Sequence, residues 1–191
     1  MMRLVLAAVA LFPILAADAQ TGKAVEPPIP TFTVCEILSQ RVEYNGKMVR
    51  IRASVFGTDE GVWFVDYGCP GVVTSDGHVW PSSISMAVAS LEMNPNTHDH
   101  PVNFVSDYGS EKKLWPKLRR IGRKVPEECV IRTYTGLFET RETYPKITYE
   151  KAPPAYIGFG QASAAPAQLF WKTADDVNVD PNCHSTTKRP K

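Results

Sequence analysis

Few residues in this chain have the types and spacing that chemistry requires, and the nearest approach is His98-Asp99-His100. Two imidazoles flanking a carboxylate suit zinc, but a stable site takes three or four protein ligands with ordered partners behind them. The tripeptide sits in a polar stretch beside Asn94, Pro95, Asn96 and Pro101, and the remaining histidines, His78 and His184, are remote in sequence. No metal or other cofactor is expected. Nucleophilic catalysis has no better basis, because there is no G-x-S-x-G elbow. Asp175-Asp176 and Glu127-Glu128 are adjacent carboxylates, and sequence neighbours seldom point into one cleft. Gly158-Phe159-Gly160 lacks the third glycine of a phosphate-binding loop and follows Pro153-Pro154, so it reads as loop punctuation.

The other reactive side chains are Cys35, Cys69, Cys129 and Cys183, and the first nineteen residues decide how they should be read. Met1-Met2-Arg3 is a short basic start, Leu4 to Ala16 is nearly unbroken apolar sequence, and Ala17-Asp18-Ala19 has the small-x-small pattern cut before Gln20. Residues 1–19 therefore read as a signal peptide. The run is shorter than the ~20 apolar residues of a spanning helix and contains Pro13. Gln20 stands where a lipid-anchored chain would carry cysteine, so a soluble secreted or periplasmic product is expected. In that oxidising space an even number of cysteines implies two disulfides, and the absence of C-x-x-C argues against a redox site or zinc ribbon. Three connectivities satisfy four cysteines, so the elements around them have to choose.

Thr21 to Thr31 carries Pro27, Pro28 and Pro30 and little that packs, giving an extended lead-in over residues 20–32. Thr33 to Arg41 reads as a short helix with Val34, Ile37 and Leu38 as its apolar stripe, stopped by Asn45-Gly46. Lys47 to Phe56 alternates, with Val49, Ile51, Ala53 and Val55 on one face and Met48, Arg50, Arg52 and Ser54 on the other. Turn chemistry over 57–61 joins it to Val62–Tyr67 as a hairpin, which brings Cys69 back towards Cys35. Ile84, Met86 and Val88 alternate as a third strand, followed by a long polar excursion from Asn94 to Asp107. Leu114, Leu118 and Ile121 mark a helix within Ser110–Lys124; because proline is tolerated only in a first turn, Pro116 places its start near Trp115. Val130–Phe138 is a fourth strand, Tyr144–Ala167 a proline-rich loop, and Gln168–Thr173 a fifth strand. If the last two strands are antiparallel neighbours, Cys129 and Cys183 meet. The expected bridges are Cys35 with Cys69 and Cys129 with Cys183, each worth about 4 kcal/mol in the chain-entropy picture.

Three strands, a helix and two strands is the order of a five-stranded OB-like Greek-key barrel, so the expectation is a mainly β fold with short helices, one domain over 33–183 and a disordered basic tail over 184–191. The segment Tyr44-Asn45-Gly46-Lys47-Met48-Val49-Arg50-Ile51-Arg52, after a short helix with Cys35 and before a strand ending at Cys69, resembles the opening of small exported bacterial OB-like proteins of unknown function. The resemblance is closest over Thr33–Cys69 and weaker over Cys129–Val177. It implies a fold and transfers no functional residue, because that family carries no settled activity.

OB-folds bind oligonucleotides or oligosaccharides on an open face through aromatic stacking and a few cations. Arg50, Arg52, Trp63, Tyr67 and Tyr134 are the residues that would make such a face; the competing expectation is that the aromatics fill the barrel and the arginines are solvated. The strongest charge feature is the second helix, where Lys112, Lys113, Lys117, Arg119, Arg120, Arg123 and Lys124 stand against only Glu111. This helix would offer an anionic ligand or envelope component a contact, with Arg119 and Arg120 as its centre, or else a solvated outer face. The net charge of +1, unchanged when Arg3 and Asp18 leave with the leader, does not suggest a strong nucleic-acid binder. The chain is expected to be a binding or interaction domain without chemistry of its own. The alternatives are a small secreted hydrolase or nuclease using His98, Asp99 and His100 or the strand arginines, and an envelope structural protein.

Overall fold

The computed structural model describes residues 27–59, 61–87, 104–149, 152–160, 163–181 and 183. The expected leader, His98-Asp99-His100, Val88, most of the 94–107 excursion and the 184–191 tail lie outside those residues. The lead-in ends in a strand, not a linker: β1 (Thr31–Phe32) runs parallel to Arg50 and Ile51, and the Arg50 amide donates to the Pro30 carbonyl at 2.8 Å. α1 (Val34–Ser39) begins with a capping box, in which the Thr33 hydroxyl accepts from the Glu36 amide and the Glu36 carboxylate accepts from the Thr33 amide. These hydrogen bonds hold the Glu36 carboxyl below its ordinary range. The predicted stripe Val34, Ile37 and Leu38 is buried. A further turn, α2 (Arg41–Tyr44), stops at Asn45-Gly46, where Gly46 takes φ 73°, a left-handed angle that suits a residue without Cβ.

β2 (Lys47–Thr58) buries Val49, Ile51, Ala53 and Val55 as its alternation predicts, and turns into β3 (Gly61–Val65). A two-residue-per-strand hairpin, β4 (Val72–Val73) with β5 (Val79–Trp80), precedes β6 (Ser83–Ala87). Next come α3 (Tyr108–Gly122), a 3₁₀ turn over Glu127–Cys129 and β7 (Val130–Thr140). β8 (Lys146–Tyr149) and β9 (Ala152–Tyr156) pair with each other, and β10 (Ala167–Val179) ends the series.

β2, β3, β6, β10 and β7 pair in that order, and β7 pairs back onto β2, so the main sheet is a ring of five strands. Within the ring, β6 and β10 are the one parallel pair, and β1 adds to the same sheet as a parallel sixth strand on β2. The inward positions supply one core: Phe64, Tyr134 and Trp171 meet edge to face with centroids 5.4 and 5.8 Å apart, among Ile51, Ile84, Phe138 and Leu169. α1 adds its stripe to the same core, and α3 packs Leu114 against it.

Two expectations change. α3 starts at Tyr108, about two turns before Trp115, because Asp107 caps it; its carboxylate accepts from the Gly109 and Ser110 amides at 2.9 and 3.2 Å. Pro116 therefore lies inside the helix on an exposed position, where the carbonyl it deprives of a partner is left to water. The proline-rich stretch 144–167 also holds the β8–β9 hairpin, which is pinned to the β4–β5 hairpin. Lys146 Nζ lies 2.8 Å from Asp76 and 4.6 Å over the Tyr156 ring, on which His78 stacks at 3.9 Å. Lys146, then Thr74 and Tyr156, hold the Asp76 carboxyl far below the usual carboxylate range.

Both disulfides join the expected partners, Cys35 with Cys69 and Cys129 with Cys183, each with Cα atoms 5.4 Å apart. The second follows from the antiparallel register that sets Val179 opposite Val130. Ring closure is tightest at Gly136, where a Cβ would come within 2.8 Å of the Trp171 Cα on the neighbouring strand. Gly136→Ala is expected to destabilise the protein by about 3 kcal/mol, because backbone has to move to admit it; the shift of the urea unfolding midpoint at constant m-value measures this.

Candidate functional site

Arg50 and Arg52 both leave β2 on its outward face, two residues apart, and their neighbours give them different roles. β7 sets Thr135 opposite Arg50, and the irregular register of β10 brings Asp175 to the same spot. The Arg50 guanidinium donates to Asp175 at 3.1 Å and to Thr135 at 3.2 Å; the Thr135 hydroxyl donates to Asp175, and the Thr173 hydroxyl does so at 2.8 Å. Arg50 is thus occupied by a patch spanning three adjacent strands. Its neighbour Asp176 turns to Lys117 at 2.7 Å, so the adjacent carboxylates serve separate partners, as expected of sequence neighbours. Lys117 lowers the Asp176 pKa.

Arg52 is exposed and has no hydrogen-bond or ion-pair partner among the described residues. It lines a cleft of about 390 Å³ that also takes Tyr67, three carboxylates (Asp66, Glu128 and Asp180) and Thr33 at the start of α1. Tyr67 is 74% exposed, so its ring face is available to a ligand. The cleft is shaped by both disulfides. Cys183 is part of its wall, and Asp66 and Tyr67 lie just ahead of Cys69, whose amide donates to the Asp66 carbonyl. Ser54 fixes the floor by donating to the Glu128 carbonyl at 2.8 Å. Asp66, Glu128 and Asp180 come from three distant parts of the chain, and no spacing in the sequence marks them as a group.

The other expected residues are elsewhere. Trp63 is on the outward face of β3, half-buried against Phe56 and over Gly61. It does not reach the cleft. Arg119 and Arg120 are exposed on α3, which contributes no side chain to the cleft. Tyr134 belongs to the interior at 3% exposure, so of the two expectations for this ring, core filling is the one the structure bears out. A second depression of about 480 Å³ runs along the Cys35–Cys69 bridge, but Leu38, Pro70, Val72 and Val73 make it mainly apolar, with few groups to orient a ligand. Among the described residues no group of three metal-ligating side chains occurs, and no helix is long and apolar enough to cross a membrane. His98, Asp99 and His100 lie outside those residues.

No match was found to any protein-family model, curated protein or solved structure. The reading of the site accordingly rests on its own chemistry.

The Tyr134 hydroxyl donates to Glu111 at 3.3 Å, and burial, reinforced by the Glu111 charge, pushes its pKa up to about 12. In the unfolded chain the phenol ionises near its ordinary value of about 10. Between those values the folded state holds more protons, so this group's contribution is complete below pH ~10 and is lost as pH rises to ~12, on the order of 2–3 kcal/mol in all. Urea unfolding of wild type and Tyr134→Phe is expected to show a gap that changes across this window, with the variant losing less stability. Arg50→Ala, which removes an exposed ion pair, is expected to cost less than about 1 kcal/mol in the same assay.

Proposed function

We propose that this protein is an exported, disulfide-stabilised OB-like binding domain that holds a carbohydrate ligand in the cleft between Arg52 and Tyr67. The leader pattern and the two bridges favour an extracytoplasmic address. Three features support an OB-like barrel: three ring strands precede α3 and two follow it, the ring closes from the first strand to the fourth, and the third and fifth ring strands are the parallel pair. The observation that carries the ligand class is the composition of the cleft, in which one unpaired guanidinium and an exposed phenol ring stand among three carboxylates.

OB surfaces hold oligonucleotides or oligosaccharides, and this cleft discriminates between them by charge. Asp66, Glu128 and Asp180 would repel a phosphate backbone, and a single arginine does not offset them. The same carboxylates accept from sugar hydroxyls, Arg52 donates to them, and the Tyr67 ring offers a face to the apolar side of a pyranose. No acid–base pair is needed for this role, which is binding without turnover.

An array of neutral and amino-sugar oligosaccharides, followed by titration calorimetry on whichever binds, tests the proposal. Arg52→Ala and Tyr67→Ala are expected to weaken binding at least about tenfold each, the loss of one charged hydrogen bond or one stacking face. Arg50→Ala should leave affinity unchanged because Arg50 faces Asp175. Preferential binding of single-stranded oligonucleotides, or sugar binding indifferent to Arg52 and Tyr67, would overturn it.

A further inference from the structure

α3 carries a surface that neither the core nor the cleft uses. Its inner side is spent on Leu114, Leu118 and Ile121, on Glu111 beneath Tyr134, and on Lys117 paired with Asp176. The outer side presents Lys112, Lys113, Arg119, Arg120, Arg123 and Lys124, all exposed and without an ion-pair or hydrogen-bond partner among the described residues. The 3.6-residue period puts Tyr108, Lys112, Trp115, Arg119 and Arg123 on one line along the helix. Cations and aromatic rings therefore share one stripe. Trp115 is 47% exposed and Tyr108 50%, at the flank between the cationic side and the barrel: the Tyr108 ring meets the buried Trp171 edge to face with centroids 5.2 Å apart, and Trp115 borders the narrow gap over Tyr134 and Val177. Val105, just ahead of the helix, adds a further exposed apolar side chain.

We infer that α3 docks the protein edge-on to an anionic phospholipid surface. Charge complementarity is the first reason, since six unpaired cations on a protein of net charge +1 concentrate positive potential on one side. The second is Trp115, half-exposed at the edge of the cationic stripe, because an amphipathic ring settles at headgroup depth while lysine and arginine stems reach the phosphates. Third is shape: a helix side is convex and meets a plane of headgroups along its length, whereas a single nucleic-acid strand is held in a groove. The contact needs nothing from the Arg52–Tyr67 cleft and stands or falls independently of it.

Sedimentation of the purified protein with vesicles of phosphatidylcholine alone, or of phosphatidylcholine with phosphatidylglycerol, tests the inference. Binding to the phosphatidylglycerol vesicles alone is expected, weakening as salt is raised. Arg119→Gln with Arg120→Gln should reduce it about 30-fold, the loss of two surface charges. Tryptophan fluorescence should shift to the blue on binding wild type and not Trp115→Phe, a readout that an unpaired surface charge alone would not produce. Equal binding to neutral vesicles, or none to either at low salt, would overturn the inference. So would retention on heparin or an oligonucleotide at salt concentrations that release the vesicles.

Discussion

Everything in this structure depends on β7 serving two partners at once. All eleven of its residues pair with β10 along one edge and eight of them, Ile131 to Phe138, with β2 along the other; without that double engagement the sheet would be open, with unpaired edges on β2 and β10. Closure has a steric condition at Gly136, where β10 passes too close for any side chain, and an outer fastening in the Arg50–Thr135–Asp175 patch. It also has an inner one, in which Tyr134 from β7 fills the space between Phe64 and Trp171. Each fastening is modest. Together they make the ring a single cooperative unit, since no strand can leave without opening two seams.

The closed ring sorts its polar residues into those that hold it and those that remain available. Arg50 and Arg52 are equivalent in type and face, and two residues apart they end with opposite roles because only one of them meets Asp175. The same sorting operates on α3, where Lys117 is committed to Asp176 and the remaining cations are not. Outside the structural pairs stand Arg52 with the exposed Tyr67 ring and the outer side of α3.

Local patterns in the chain carried much of this. The alternation of β2, its hairpin with β3 and the stripe of α1 were legible from spacing, and the Cys35–Cys69 bridge followed from them; the Cys129–Cys183 bridge rested on a supposed antiparallel pairing of the last two strands, which the β7–β10 register bears out. What escaped depended on contacts between distant residues or on a weak signal beside a strong one. Pro116 masks the true start of α3 because the Asp107 cap, a single residue, is easily outweighed by a proline. The β8–β9 hairpin hides in a proline-rich stretch and is held by Asp76 and His78 from far upstream. Within the site, Arg52 and Tyr67 were recognisable by type. Asp66, Glu128 and Asp180 were not, because only the folded ring and its bridges gather them.

The two disulfides differ in when they can exist. Cys35 and Cys69 are 34 residues apart and bracket α2 and the first hairpin, whereas Cys129 and Cys183 are 54 apart and require β10, the last element, to be in place. A chain that emerges N-terminus first can therefore oxidise its first pair while β6 still lacks its parallel neighbour, and the second pair only once the ring is about to close. Pairings so remote in sequence form slowly. During that interval the exposed edges of β2 and β6 make the half-built molecule vulnerable to aggregation, and the early bridge shortens the stretch of chain that has to search for its partners.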